Sequence, residues 1–306
     1  MKIVTLTLSA AYDIHCSGEK IESGKENFVS LLSKDAGGKG INISRALNEF
    51  GVDSFPIAVL GDENSKEFYE LLEKEGLKVE VISVPGRIRE NITVHTEDGK
   101  ETRISLGASE VPQNLIELVE KITDGILENG DILTFTGSIP GGVDIGVAVA
   151  YLKRQAEKGV RVIVDSRSLT LSDIVEIKPF LIKPNEYEII DYIGSEIFDI
   201  ESAIRSAEQI RRLGVGNVMI TLGGRGAVIS SAEGSFYSSA PDVEVKSTIG
   251  AGDSSIAGFV YALINGESVE SALKISVAFG SAACLTEGTH PPQKENVFKI
   301  IKNGIL

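Results

Sequence analysis

The sequence predicts an α/β fold on a mainly parallel sheet, with a small β-sheet set into it. Two observations lead there. Short apolar runs alternate with helix-length stretches for most of the chain, the pattern of repeated strand–helix units. Two segments break that rhythm and alternate apolar and polar side chains with no helix between them, the period of a half-buried strand.

Taken in order, Ile3–Leu8 reads as the first strand, because MKIVTLTLSAAYD carries one Lys and then alternating residues rather than the long apolar run of a signal peptide. The first irregular segment, 14–35, follows, and then a helix over Gly40–Phe50. Strands at Ser54–Leu60, Asp131–Thr136, Val160–Asp165, Phe180–Ile182, Val218–Leu222 and Ala227–Ser230 alternate with helical patterns. Those patterns cover Ser65–Glu75, Val143–Glu157, Asn185–Tyr192, Ile200–Leu213, Ala251–Asn265, Ser268–Leu285 and Gln293–Asn303. The second irregular segment, 86–106, contains Glu97-Asp98-Gly99-Lys100, whose Asp-Gly pair signals a two-residue hairpin turn. No linker, low-complexity tract or repeat divides the chain. One domain over 1–306 with an inserted β lid from 14–35 and 86–106 is therefore expected.

Composition narrows the function. Lys and Arg total 30 against 44 Asp and Glu, a net charge of −14, which repels nucleic acid backbones and anionic membranes. No stretch is long and apolar enough to span a bilayer. Cys16 and Cys284 are far apart, so reduced thiols in a cytoplasmic protein are expected, although one bridge between them stays open. His15, His95 and His290 form no zinc pattern. An acidic protein that binds phosphates must gather its few cations and backbone N–H groups in one place.

The strongest motif is Thr248-Ile249-Gly250-Ala251-Gly252-Asp253-Ser254, directly before an apolar helix. Small residues let backbone N–H groups approach an anion, and the helix start adds its positive dipole end. A carboxylate there is suited to accept a proton from a hydroxyl as a phosphoryl group arrives. Equally simple is a helix cap after a tight turn. A second Gly-rich turn, Ala36-Gly37-Gly38-Lys39-Gly40-Ile41-Asn42, also opens a helix but lacks the Walker A spacing. In Lys183-Pro184-Asn185-Glu186-Tyr187-Glu188, Asn185 and Glu188 are three apart and are expected on one helical face, where they suit magnesium waters or phosphate oxygens. The plain alternative has Asn185 as an N-cap. Thr221-Leu222-Gly223-Gly224-Arg225-Gly226 lies between two strands, as a hairpin or as a platform for a nucleotide.

In this order and spacing, GGKGIN, GSIPGG, KPNEYE, TLGGRGA and IGAGDS resemble the PfkB-type carbohydrate kinases of the ribokinase superfamily, over nearly the whole chain. The likeness is to the branch of 1-phosphofructokinase, tagatose-6-phosphate kinase and minor 6-phosphofructokinase. It implies a ribokinase-like three-layer sandwich with a β lid, and ATP and Mg2+ as cosubstrate and cofactor. It implies Asp253 as base, with Gly250, Ala251 and Gly252 forming an anion hole. It implies Asn185 and Glu188 near magnesium, through water, with Lys183 beside them. Thr221, Gly223, Gly224, Gly226 and Ser281 match the nucleotide side. Asp13, Gly38, Asn42 and Ser138 match sugar contacts, with Lys39 shared across the branch. Arg89, Asn91, Lys25 and Arg103 match positions near the substrate phosphate. Relatives often dimerise through the lid strands.

The resemblance is incomplete at two places. Ser9-Ala10 stands where the branch has Asn-Pro, and Arg103 stands where many 1-phosphofructokinases are acidic, which leans toward a 6-phosphorylated substrate. The commonest activity of similar chains leans toward fructose 1-phosphate. An unphosphorylated sugar, nucleoside or inositol acceptor, or a non-catalytic sugar-phosphate sensor, are the other readings. A dinucleotide-binding oxidoreductase fails, because no Gly-x-Gly-x-x-Gly follows the first strand.

Overall fold

A computed structural model describes residues 1–107 and 111–302. Among the described residues, nine strands form one sheet in the order β13-β12-β11-β10-β9-β8-β1-β4-β5. These are β1 (Ile3–Thr7), β4 (Phe55–Gly61), β5 (Glu80–Val84), β8 (Ile132–Thr136), β9 (Arg161–Asp165), β10 (Leu181–Ile182), β11 (Asn217–Thr221), β12 (Ala227–Ser231) and β13 (Gly234–Ser238). Pairing is parallel from β11 to β5, and β12 and β13 add an antiparallel edge.

Alternation along the strands explains the layers. Val4, Leu133 and Val162 enter one apolar core, while their neighbours Ile3, Ile132 and Ile163 enter another. The first core is closed by α3 (Leu115–Asp124), α4 (Ile145–Glu157), α5 (Leu171–Ile177), α6 (Glu188–Ile193) and α7 (Ile200–Arg211). The second is closed by α1 (Lys39–Glu49), α8 (Ala251–Ile264), α9 (Val269–Ala283) and α10 (Lys294–Lys302). The strands are apolar on both faces because helices cover both faces. The result is a three-layer α/β/α sandwich.

A separate four-stranded sheet has the order β3-β2-β6-β7, from β2 (Ala11–Gly18), β3 (Ser30–Gly37), β6 (Arg89–Thr96) and β7 (Glu101–Leu106). Its base packs on α2 (Ser65–Lys74) through Tyr12, Phe68 and Leu72. Its period of two puts Asp13, His15, Asn91 and Arg103 on one face, and Ile14, Cys16, Ile92, Val94 and Ile104 on the other.

Three expectations need correction, and one lies outside the described residues. The turn between β6 and β7 has three residues, not two: Gly99 N donates to the Thr96 carbonyl, Thr96 N donates to that of Lys100, and Gly99 has φ 77°. The expected helix from Asn185 starts at Glu188 instead, because Asn185 is bridged to Thr221 of β11. Four elements, β5, β13, α3 and α5, were not anticipated. The last helix ends at Lys302 among the described residues, and its expected end at Asn303 lies outside them.

Candidate active site

The site lies at the C-terminal ends of the parallel strands, where open α/β sheets gather ligands. Gly250, with φ 77°, turns the chain into α8. Such a left-handed residue favours glycine. The first turn of α8 then presents N–H groups without intrahelical acceptors. A Cβ at Gly252 would sit 3.2 Å from Lys183 Nζ, so glycine leaves space for that ammonium against the turn. Asp253 is 6% exposed, and its Oδ2 accepts from Asn42 Nδ2 at 2.8 Å. Burial pushes its pKa up to about 6, against the opposing pull of Lys39, Asn42 and Lys183, and Asp165 adds to the rise.

Close approach of α1 to β1 sets the second wall. A Cβ at Gly40 would fall 2.5 Å from the Leu6 carbonyl oxygen, and Ile41 N donates to Thr7 Oγ1 at 3.0 Å. This brings Lys39 to Asp165, at the end of β9, with Nζ–Oδ2 2.9 Å. Lys183 reaches the same oxygen at 3.5 Å. Burial alone would raise the pKa of Asp165, but the two ammonium groups outweigh it and hold it below the ordinary carboxylate range. Burial would lower that of Lys39, yet Asp165 and Asp253 keep it raised.

The lid supplies the roof. Asp13 and Asn91 are register partners on β2 and β6, and Asn91 Nδ2 donates to Asp13 Oδ1 at 3.0 Å. Burial raises the Asp13 pKa, opposed by Asn91, His15 and Arg89. Arg89 donates weakly to the Ser9 carbonyl, at 3.4 Å, while its Nε is buried without a partner. A buried unpaired guanidinium N–H is costly, so an anion would relieve it. Arg103 lines the same cleft and lies 3.5 Å from Glu101.

On the far side, Asn185 Oδ1 accepts from Tyr187 N and Glu188 N, and Asn185 N donates to Glu188 Oε2, all at 2.9 Å. The reciprocal bonds close the turn before α6, whose N-cap is Tyr187, so Asn185 is neither the N-cap nor on a helical face shared with Glu188. Arg167 Nε donates to the other Glu188 oxygen at 2.6 Å. The turn over Gly223–Arg225 is indeed a hairpin between β11 and β12. It also borders a cavity of about 550 Å³ that includes Gly223, Gly224, Gly226, Ala251 and Ser281.

The lid-side cleft, of about 580 Å³, is lined by Asp13, Gly38, Lys39, Asn42 and Ser138, by Arg89, Asn91 and Arg103, and by Lys183, Glu188, Gly250 and Asp253. The two cavities share Asn185, Thr221, Thr248 and Gly252, so they meet at the start of α8. Lys25 is not brought to either. It is exposed and paired with Glu22, in a turn of the lid. Asp165 and Arg167 line the cleft but were not anticipated. A carboxylate closing a buried parallel strand was the available signal for Asp165.

No group of three or more His, Cys, Asp or Glu side chains positioned to hold a metal ion occurs among the described residues. Both Glu188 oxygens already accept hydrogen bonds. The donor set therefore fits Mg2+ held mainly by phosphate oxygens and water, with Glu188 behind the water, the usual habit of this ion.

Residues 5–296 match the pfkB family of carbohydrate kinases. A 1-phosphofructokinase of Escherichia coli is 31% identical over 92% of this chain and 90% of its own. One from Haemophilus influenzae is 32% identical, over 92% and 90%. Among solved structures, phosphofructokinase-2 from Escherichia coli, in complex with substrates and products, superposes with a TM-score of 0.92 at 28% identity, covering 99% of both chains. A ribokinase from Arabidopsis thaliana, complexed with ribose and ATP, shares the fold with a TM-score of 0.79. With the family profile covering nearly the whole chain, this protein belongs to the pfkB family of carbohydrate kinases, phosphotransferases with an alcohol group as acceptor.

Proposed function

We propose that this kinase transfers the γ-phosphoryl group of ATP to a hydroxyl of a ketohexose phosphate, with fructose 1-phosphate the favoured substrate and Asp253 the base. The observation that carries this reading is the meeting of the two cavities at Gly252, next to a buried carboxylate poised to titrate near pH 6. ATP occupies the cavity bordered by the Gly223–Arg225 turn and Ser281, and the sugar phosphate occupies the lid-side cleft. The names of the curated relatives support fructose 1-phosphate.

In the reaction, ionised Asp253 takes the proton of the acceptor hydroxyl. The hydroxyl oxygen forms a bond to the γ-phosphorus as the bond from that phosphorus to the bridging oxygen breaks, and ADP leaves. N–H groups at the start of α8, with Lys39 and Lys183, stabilise charge on the moving group. Bound Mg2+, held through water near Asn185 and Glu188, would offset charge on the phosphate oxygens. Asp13 holds sugar hydroxyls, and Asn91, bonded to it, lies toward the phosphate the substrate already carries. Arg89, with its free Nε, and Arg103 meet the phosphate the substrate already carries. That unpaired Nε favours a phosphorylated acceptor over a plain sugar. The lid excludes water from the transfer.

We read the chain as one domain with this lid inserted, and as a cytoplasmic protein. No helix among the described residues is long and apolar enough to cross a membrane. The outer lid face, with Leu31 63% and Ile104 47% exposed, suits a second copy of the chain, in a dimer joined through lid strands. One assay tests the substrate: ADP release with fructose 1-phosphate, fructose 6-phosphate and tagatose 6-phosphate side by side. Fructose 1-phosphate is expected to give the highest kcat/KM. Preference for either 6-phosphate reassigns the substrate, and ligand binding without ADP release makes the protein a sensor.

A further inference from the structure

Arg45 lies outside both cavities and is 6% exposed, yet its guanidinium makes three hydrogen bonds. Its NH1 donates to Asn42 Oδ1 at 2.9 Å, its NH2 to the Ala36 carbonyl at 2.7 Å, and its Nε to Glu75 Oε2 at 2.7 Å. Three elements therefore fix its fork: its own helix α1, the strand β3 and the end of α2. The two residues are three apart on α1, the spacing that brings side chains together on one helical face.

A guanidinium has only donors. The Asn42 atom that faces it must therefore be the carbonyl oxygen, which leaves the amide N–H group to face the other way. That group meets Asp253 Oδ2 at 2.8 Å. A primary amide turned by half a revolution would instead aim its oxygen at the carboxylate, and the contact would become repulsive.

We propose that Arg45 is a positioning residue for the phosphoryl transfer, locking the Asn42 amide so that its N–H, and not its oxygen, meets Asp253. This rests on the reading of Asp253 as the base. The other charged groups that face Asp253 are Lys39 from α1, Asp165 from β9 and Lys183 from the segment after β10. None of them is bonded to the Arg45 guanidinium, whose partners are Asn42, Ala36 and Glu75. A change in the titration of Asp253 then reports on the amide alone.

The experiment is the pH dependence of kcat for Arg45→Met, with both KM values and the melting temperature measured alongside. The acid limb is expected to move up by about one pH unit, as loss of one hydrogen bond to an ionised carboxylate implies. With that shift kcat is expected to fall roughly two-fold at pH 7 and roughly ten-fold at pH 5, with KM for ATP unchanged. Glu75→Gln, which leaves the NH1 contact to Asn42, should keep the limb where it is. A purely structural role predicts a lower melting temperature with the limb unmoved, and that result overturns the inference. Should Arg45→Met not accumulate as folded protein, Arg45→Lys carries the same test, because an ammonium cannot reproduce the fork. Turnover retained in Asp253→Asn would overturn the base and this inference together, whereas an unmoved limb beside an inactive Asp253→Asn overturns only the role of Arg45.

Discussion

Asn42 donates its amide to Asp253 across 2.8 Å, joining helices that begin 212 residues apart in the chain (Lys39 and Ala251, 251 − 39). Both helices start at a glycine-rich turn, and the contact holds the two turns on either side of one cleft. The carboxylate at the junction is buried and has its pKa raised, with the ammonium groups of Lys39 and Lys183 facing it. The predictions below come from that environment and from the walls around it.

Activity should fall on acidification with a midpoint near pH 6. As the proposed base Asp253 works only when ionised, and burial pushes its pKa up to about 6. The check is kcat against pH at saturating ATP and sugar phosphate. A flat profile down to pH 5 contradicts it.

The same burial has a cost in stability. The folded chain holds a proton on Asp253 more tightly than the unfolded chain does, since the pKa rises from 3.8 to about 6. Stability from this group is therefore fully present below about pH 4 and is lost as pH rises through 6. At pH 7, Asp253→Asn should be more stable than the parent, by about 2–3 kcal/mol, because it carries no charge to bury. Urea unfolding at pH 7 and pH 4 measures it, and the gain should shrink at the lower pH.

Arg89→Gln should raise KM for the sugar phosphate about 10- to 100-fold, the loss of a charge-assisted hydrogen bond to an anion. KM for ATP should not change, since Arg89 borders the lid-side cleft and not the cavity proposed for ATP. Steady-state kinetics with each substrate varied in turn separates the two.

Gly40→Ala should destabilise the fold by about 1–3 kcal/mol, because the added carbon would lie 2.5 Å from a backbone carbonyl that cannot move aside. Thermal unfolding reads it directly.

Leu31→Glu should convert a dimer to monomers. Leu31 is opposite Cys16 on the outer face of the lid, away from Asp13 and Asn91. Sedimentation velocity of both proteins decides, and an unchanged coefficient rules out this face as the interface.

Much of this architecture was legible in the chain. Val4, Leu133 and Val162 against Ile3, Ile132 and Ile163 are strands apolar on both faces, which only a doubly covered sheet explains. The glycine-rich turns were legible because each precedes a helical pattern. The missed strands β5 and β13 lie at the two sheet edges, where burial is partial and the apolar signal is thin. The missed helix α5 has only seven residues. Asp165 offered one local signal, a carboxylate closing a buried strand, but its role was not legible from it. Its meaning comes from Lys39, 126 residues away, and from Lys183, and no local pattern records that meeting. Lys25 shows the reverse, a cation in a suggestive segment that the lid carries to its surface.

The most direct test is turnover of Asp253→Asn at saturating ATP and fructose 1-phosphate, with ATP affinity measured on the same preparation. The expected result is loss of kcat by several orders of magnitude with ATP binding unchanged, since Asp253 lines the lid-side cleft and not the cavity proposed for ATP. Turnover within a few-fold of the parent would contradict the assignment of this carboxylate as the base.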